Sequence, residues 1–368
     1  MRIRGKSLEL FALMTLFAAC AALFLLLVGH DALKDQHPFQ FFADSSTYHQ
    51  IYAGALSSFD GTLVGVASNY LGPLFVLELL RGDIYLIMLL NNGIFVVSVL
   101  RIAGLLRLDP LKLAAVLLLS PLTVSSLLAV NKEIFTLPFI ALALTGYMRR
   151  SMLAAVLALA VSILVRWQLT GFFIVMLVMA GLVPIARRGT LLMVLLLGAS
   201  AFYTLMQDFL VPVLAYSEAS IENYDEGGSG LFEITLDYQK RGLYFLVFPL
   251  KAAHLLFAMG LKFDKLFNPV NFYNDIFVAL HCSVTFIVFL MLLYRHLFTI
   301  RADLIFATLI FLAVFCLSPV FAPRYLYGVY VIWVLVLVGA PSTLPRSQQR
   351  GRLRRTRTTS LDAPHGTR

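Results

Sequence analysis

NYLGPLFVLELLRGD, residues 69–83, decides how the chain is threaded. It is apolar, it opens on Gly72-Pro73, and it ends on Arg81-Gly82-Asp83. If it crossed a bilayer, the next apolar run, 84–100, would finish on the outer side. That run finishes at Arg101, Arg107 and Lys112, and basic residues gather at the cytoplasmic ends of spans. The spacing therefore predicts a short outer or re-entrant helix over 70–82, and a span over about 84–104 running inward.

Composition agrees with a chain built for lipid. Of 368 residues 60% are hydrophobic and only 13% are charged, about half the charged share of a soluble domain. Runs long enough to cross a bilayer as helix recur, and ten-residue alternating β patterns are absent. The fold class expected is an all-α polytopic membrane protein with about ten transmembrane helices.

Outward from 69–83, the charges order the remaining runs. Upstream, Arg2, Arg4 and Lys6 lead a span over about 8–28, read as uncleaved because its apolar stretch is long and lacks a small-x-small end. Residues 30–60 follow as a polar outer loop. Downstream, spans are expected at about 112–130, 134–148, 152–165, 169–186, 190–211, 276–294, 304–320 and 325–340. The stretch 242–262, broken by Pro249, Lys251 and His254, fits only as a re-entrant or interfacial segment. A second outer loop, 212–241, is acidic and carries GGSG at 227–230, so it is either a solvated loop or a mobile lid.

Residues 1–342 thus form one membrane domain of the cytoplasmic (inner) membrane with both termini cytoplasmic. Residues 343–368 form a basic tail, expected to be disordered and to touch anionic headgroups rather than nucleic acid. Cys20, Cys282 and Cys316 sit in apolar runs and read as small buried residues. Walker loops, G-x-S-x-G elbows and zinc-type spacings are absent, which argues against an ATP-driven pump and a serine acyl-transferase.

This threading collects the unusual polar residues at the outer face: Asp44, His49, Asn69, Asn131, Lys132, Glu133, Arg166, Lys251, His254 and Arg324. Ionisable groups at membrane depth usually face the protein interior or a wet cavity. Asp44 in FFADSSTYHQIY, residues 41–52, reads either as a general base or as a helix N-cap. Glu133 is either a second acid or a favourable charge at a helix start, and Lys132 beside it is either its partner or solvated. Arg166 and Arg324 suit a phosphate, although Arg166-Trp167 also suits an interfacial anchor. Lys251 and His254 lie one turn apart and would share a helix face, with His254 equally readable as a buried, hydrogen-bonded residue.

The layout resembles the GT-C superfamily of membrane glycosyltransferases, and the polytopic polymerases of exopolysaccharide and O-antigen synthesis. The resemblance rests on D-S-x-x-Y-H after the first span, the Gly-Pro-led partial helix, an acid at a later outer turn, and P-R-Y opening a late span. It covers about 8–170 and 318–340. It implies a sugar moved from a polyprenyl-phosphate-linked donor to a glycan or lipid-linked acceptor on the outer face. It implies Asp44 as base, Glu133 as second acid, Arg324 and Tyr325 with Arg166, Lys251 and His254 at the donor phosphate, and His49, Asn131 and Lys132 near the acceptor. No acid is paired beside Asp44 and no large C-terminal outer domain follows. No cofactor is implied, and a divalent metal stays open. Alternatives are a polymerase acting on polyprenyl-diphosphate-linked repeats and a lipid-sugar transporter or flippase.

Overall fold

The computed structural model describes residues 2–29, 42–54, 70–182, 184–206, 230–261, 266–267, 269, 272–318 and 322–340. Every regular element among them is helical. Asn69, most of the loop 30–60 and the tail 343–368 lie outside the described residues.

The first helix, α1, is Arg2–Val28, and α2 is Ala43–Tyr52. The deciding stretch forms α3, Leu71–Leu79, of 9 residues. At 1.5 Å per residue it is about 13 Å long, less than half a bilayer core. It does not cross. The chain reverses through Arg81 and Gly82, at φ 53° and 71°. Asp83 then caps α4, Ile84–Leu106, accepting from the N–H groups of Tyr85 and Leu86 at 2.9 and 3.0 Å.

The run expected as one span over 112–130 is a broken helix. It consists of α5, Pro110–Leu118, and α6, Pro121–Leu128, bent by 95°. Pro121 cannot donate to the preceding turn, so the α5 ladder stops before it. Ser120 at the break meets His281 Nδ1 through its hydroxyl at 2.8 Å. Where α6 ends, Asn91 of α4 donates to the carbonyls of Ser126 (3.0 Å) and Ala129 (2.9 Å). A buried helix end needs such partners, and these fix the turn that follows.

After a 3-10 turn at Glu133–Phe135 come α7, Thr136–Arg149, α8, Met152–Val165, and α9, Trp167–Leu182. Then follow α10, Arg188–Leu205, α11, Gly230–Lys240, α12, Tyr244–Phe257, α13, Val278–Tyr294, and α14, Asp303–Phe315. A 3-10 turn at Pro323–Leu326 opens α15, Tyr327–Gly339. Residues 230–240, expected within an outer loop, are thus a helix that buries Phe232, Leu236 and Gln239.

Among the described residues four helices are long and apolar enough to cross a membrane, at Gly5–Val28, Ile84–Leu106, Ile185–Leu205 and Asp275–Tyr294, or five if α5 and α6 count as one. The expected ten also counted shorter apolar runs, such as 134–148 and 152–165. The helices α7, α8, α12, α14 and α15 have 13 or 14 residues. Each is about 20 Å long, short of a bilayer core of about 30 Å.

The middle of the bundle is α15, whose residues from Tyr327 to Leu335 are all buried. Its outside is apolar: Leu27, Leu89, Val97, Met152 and Leu205 are all more than 60% exposed. Apolar exposure on that scale suits lipid rather than water. Cys282 and Cys316 are buried as expected, but Cys20 faces outward from α1.

Candidate functional site

The termini of several helices meet at one end of the bundle. There α7, α9 and α15 begin and α8 and α14 end, around a small pocket lined by Glu133, Thr136, Arg166, Leu169, Arg324 and Tyr325. Helix N-termini favour negative charge, and three of them open here.

Arg166 is the extended residue between α8 and α9, with φ −166°. Ser162 and Thr170 hydroxyls meet across this break at 2.9 Å. Only 4% of Arg166 is exposed, so it is not the interfacial anchor that Arg166-Trp167 allowed. Its Nη2 pairs with Glu133 Oε1 at 2.5 Å. Its guanidinium lies over the Tyr325 ring, 3.7 Å from the centroid, a cation–π contact in a site removed from water.

Glu133 is 2% exposed and Lys132 6%, so neither is a solvated turn residue. Asn131 Oδ1 accepts from the Glu133 N–H at 3.1 Å, shaping the turn. Lys132 Nζ lies 5.4 Å from the Tyr325 ring centroid. Burial first, and the Arg166 charge second, push the Lys132 ammonium down to about 7, while Glu133 and Asp44 pull it up.

Asp44 is not an N-cap. The capping position of α2 is Phe42, and no side chain caps this helix. Asp44 Oδ1 instead pairs with Arg324 Nη1 at 2.9 Å, with side chains 16% and 20% exposed. The sequence therefore brings seven of its candidates together: Asp44, Asn131, Lys132, Glu133, Arg166, Arg324 and Tyr325. Asp44 Oδ2 and Glu133 Oε2 are both buried without a hydrogen-bond partner. An orphaned buried carboxylate oxygen is expensive, and two at one site mark acceptor positions suited to a donor from outside the chain.

The other candidates sit apart. Lys251, fully buried, donates to Gln239 Oε1 (2.5 Å) and to the Ser318 carbonyl (2.9 Å) and lies over Phe232. It clasps α11 and α12 to the chain end of α14. His254 stacks on Phe232 with centroids 6.3 Å apart. Neither lines the charged pocket. His49 is half-buried on α2, one residue round from the buried face.

That face carries Tyr48, the tyrosine of D-S-x-x-Y-H, to which the sequence assigned no role. Tyr48 is buried, and its hydroxyl is held well above the usual range by burial first, then by Asp44 and Glu133. The signal was its i,i+4 spacing from Asp44. Among the described residues, no group of three or more His, Cys, Asp or Glu side chains is arranged to hold a metal ion.

No protein-family model, curated protein or solved structure matches the chain. What stands is a helical bundle with membrane-length apolar helices and a charged pocket at one end.

Proposed function

We propose that the protein is a membrane glycosyltransferase that moves a sugar from a polyprenyl-phosphate-linked donor to a glycan or lipid-linked acceptor. The observation that carries this reading is two ion pairs around Tyr325, the buried Glu133–Arg166 and the half-buried Asp44–Arg324. Arginine stays charged when buried and matches phosphate geometry, and a guanidinium has five N–H donors, more than one carboxylate uses.

The pocket has room for about one water molecule. A donor phosphate therefore has to displace a carboxylate. As phosphate takes Arg324, Asp44 is released from its ion pair and faces the acceptor. The acceptor hydroxyl then gives its proton to Asp44 while its oxygen bonds the anomeric carbon. The sugar–phosphate bond breaks, and its electron pair leaves with the phosphate. Arg324, Arg166 and Lys132 offset that charge. Direct displacement inverts the anomeric centre. Glu133 holds Arg166 in place and is a positioning residue.

The 95° break between α5 and α6 favours a second reading, because transporters place broken helices at their substrate sites. One assay separates the two. Protein in liposomes receives a polyprenyl-phosphate sugar with a labelled sugar and a mixture of glycan acceptors. Label on the acceptor supports the transferase. Intact labelled lipid moved between leaflets, with no label on acceptor, contradicts it and supports the transporter.

A further inference from the structure

At the far end of the helices that form the charged pocket lies a second cavity, of about 270 Å³. Along α7 the two ends are marked by Thr136 and Tyr147, about 16 Å apart on the helix axis. The cavity walls are aliphatic and aromatic, with Phe139, Ala143, Phe172, Met176, Phe306 and Ala307 among them. Packed interiors tolerate few voids larger than a water molecule, and a dry apolar wall gives water nothing to bond.

The mouth is charged. Arg188 Nη2 pairs with Asp303 Oδ1 at 2.5 Å, and Nη1 donates to the Arg301 carbonyl at 2.6 Å. The Arg188 guanidinium lies over Phe306, 5.0 Å from its centroid. Tyr147 donates to Asp303 Oδ2 at 3.2 Å. Arg149 and Arg150 close α7 just past Tyr147, and Arg187 precedes Arg188. Arg188 and Asp303 thus line the mouth, and Arg149, Arg150, Arg187 and Arg301 lie next to its residues along the chain. The surface beside the mouth is apolar, with Met148, Leu177 and Ile185 each about half exposed.

We infer that this cavity holds one acyl chain of an anionic phospholipid, its phosphate drawn to the arginines at the mouth. An apolar interior, a basic rim and apolar flanks are complementary to an anionic amphiphile arriving sideways from lipid. A cavity of this size, just below the usual range of ligand pockets, takes up the inner part of one chain and not a whole lipid. Basic rims attract anionic headgroups from the bilayer surface. The site stands apart from Asp44 and does not depend on the reaction proposed there.

The test is native mass spectrometry of the full chain in mild detergent, titrated with phosphatidylglycerol or phosphatidylcholine of matched chains. One saturable phosphatidylglycerol is expected, held roughly tenfold more tightly than phosphatidylcholine, a ratio of the order a few partly screened charges supply. Ala307→Phe fills the cavity and should remove that bound lipid, with folding checked by elution and thermal unfolding. If that variant does not fold, Arg149→Gln with Arg150→Gln, outside the packed core, should erase the preference between headgroups. Equal retention of both lipids by the parent, or unchanged phosphatidylglycerol binding by the variants, overturns the site.

Discussion

Lys132 carries the pH dependence of the pocket. In the unfolded chain a lysine holds its proton to about 10.4, whereas burial in the pocket brings it down to about 7. Between about pH 7 and 9 the folded protein therefore binds fewer protons than the unfolded one, and this group makes stability rise with pH. Lys132→Met should remove that contribution. Thermal unfolding of parent and variant in detergent should differ by an amount that shrinks as pH rises. A constant difference contradicts the buried, charge-coupled setting. Under the proposed function a donor phosphate would favour the protonated form, so the variant should also lose the gain in donor affinity as pH falls toward 7. At this scale the sequence was only half legible. That Asp44 and Arg324 are partners cannot be read from residues so far apart in the chain, and the cap reading of Asp44 failed because Phe42 holds that position.

Elements are fixed by a few close approaches. A Cβ on Gly72 would lie 2.4 Å from the Leu164 carbonyl oxygen, so only glycine lets α3 dock on the end of α8. Gly72→Ala should cost about 1–3 kcal/mol through overpacking, read as a lower unfolding temperature. It should weaken activity as well, because the displaced segment leads directly to Arg166. Asn91→Ala leaves the Ser126 and Ala129 carbonyls unpaired in the interior. A loss of about 1–3 kcal/mol is expected, and an unchanged unfolding temperature would contradict the role given to Asn91. The short helix at 71–79 was legible because flanking charge forbade a crossing. The break between α5 and α6 was written in Ser120-Pro121, yet an apolar run long enough to span hid it. The helix over 230–240 was missed because acidic residues and the GGSG before it look like loop, while its packing depends on distant partners of Gln239, the Lys251 ammonium and the Leu317 carbonyl.

The whole molecule is a bundle whose two ends differ in chemistry. One end gathers mixed charge around Tyr325, where the Glu133 carboxylate and the Arg166 guanidinium are buried together. The other gathers arginines around an apolar cavity. Hydrophobic patterning gives the helices, and the unequal charge gives the ends. It does not give how many short helices lie tucked inside others. The expected ten spans counted short apolar runs with long ones; among the described residues four or five helices reach crossing length, while α7, α8, α12, α14 and α15 are each about 20 Å long. The central claim is that Asp44 accepts the acceptor's proton once phosphate has drawn Arg324 away. The most direct test is the pH–rate profile of sugar transfer by protein in liposomes, for the parent, Asp44→Glu and Asp44→Asn at saturating donor. The account predicts an acidic limb in the parent, the limb retained in Asp44→Glu at reduced rate, and a fall of roughly 100-fold or more in Asp44→Asn. Transfer by Asp44→Asn at the parent's rate, with the same profile, would contradict it.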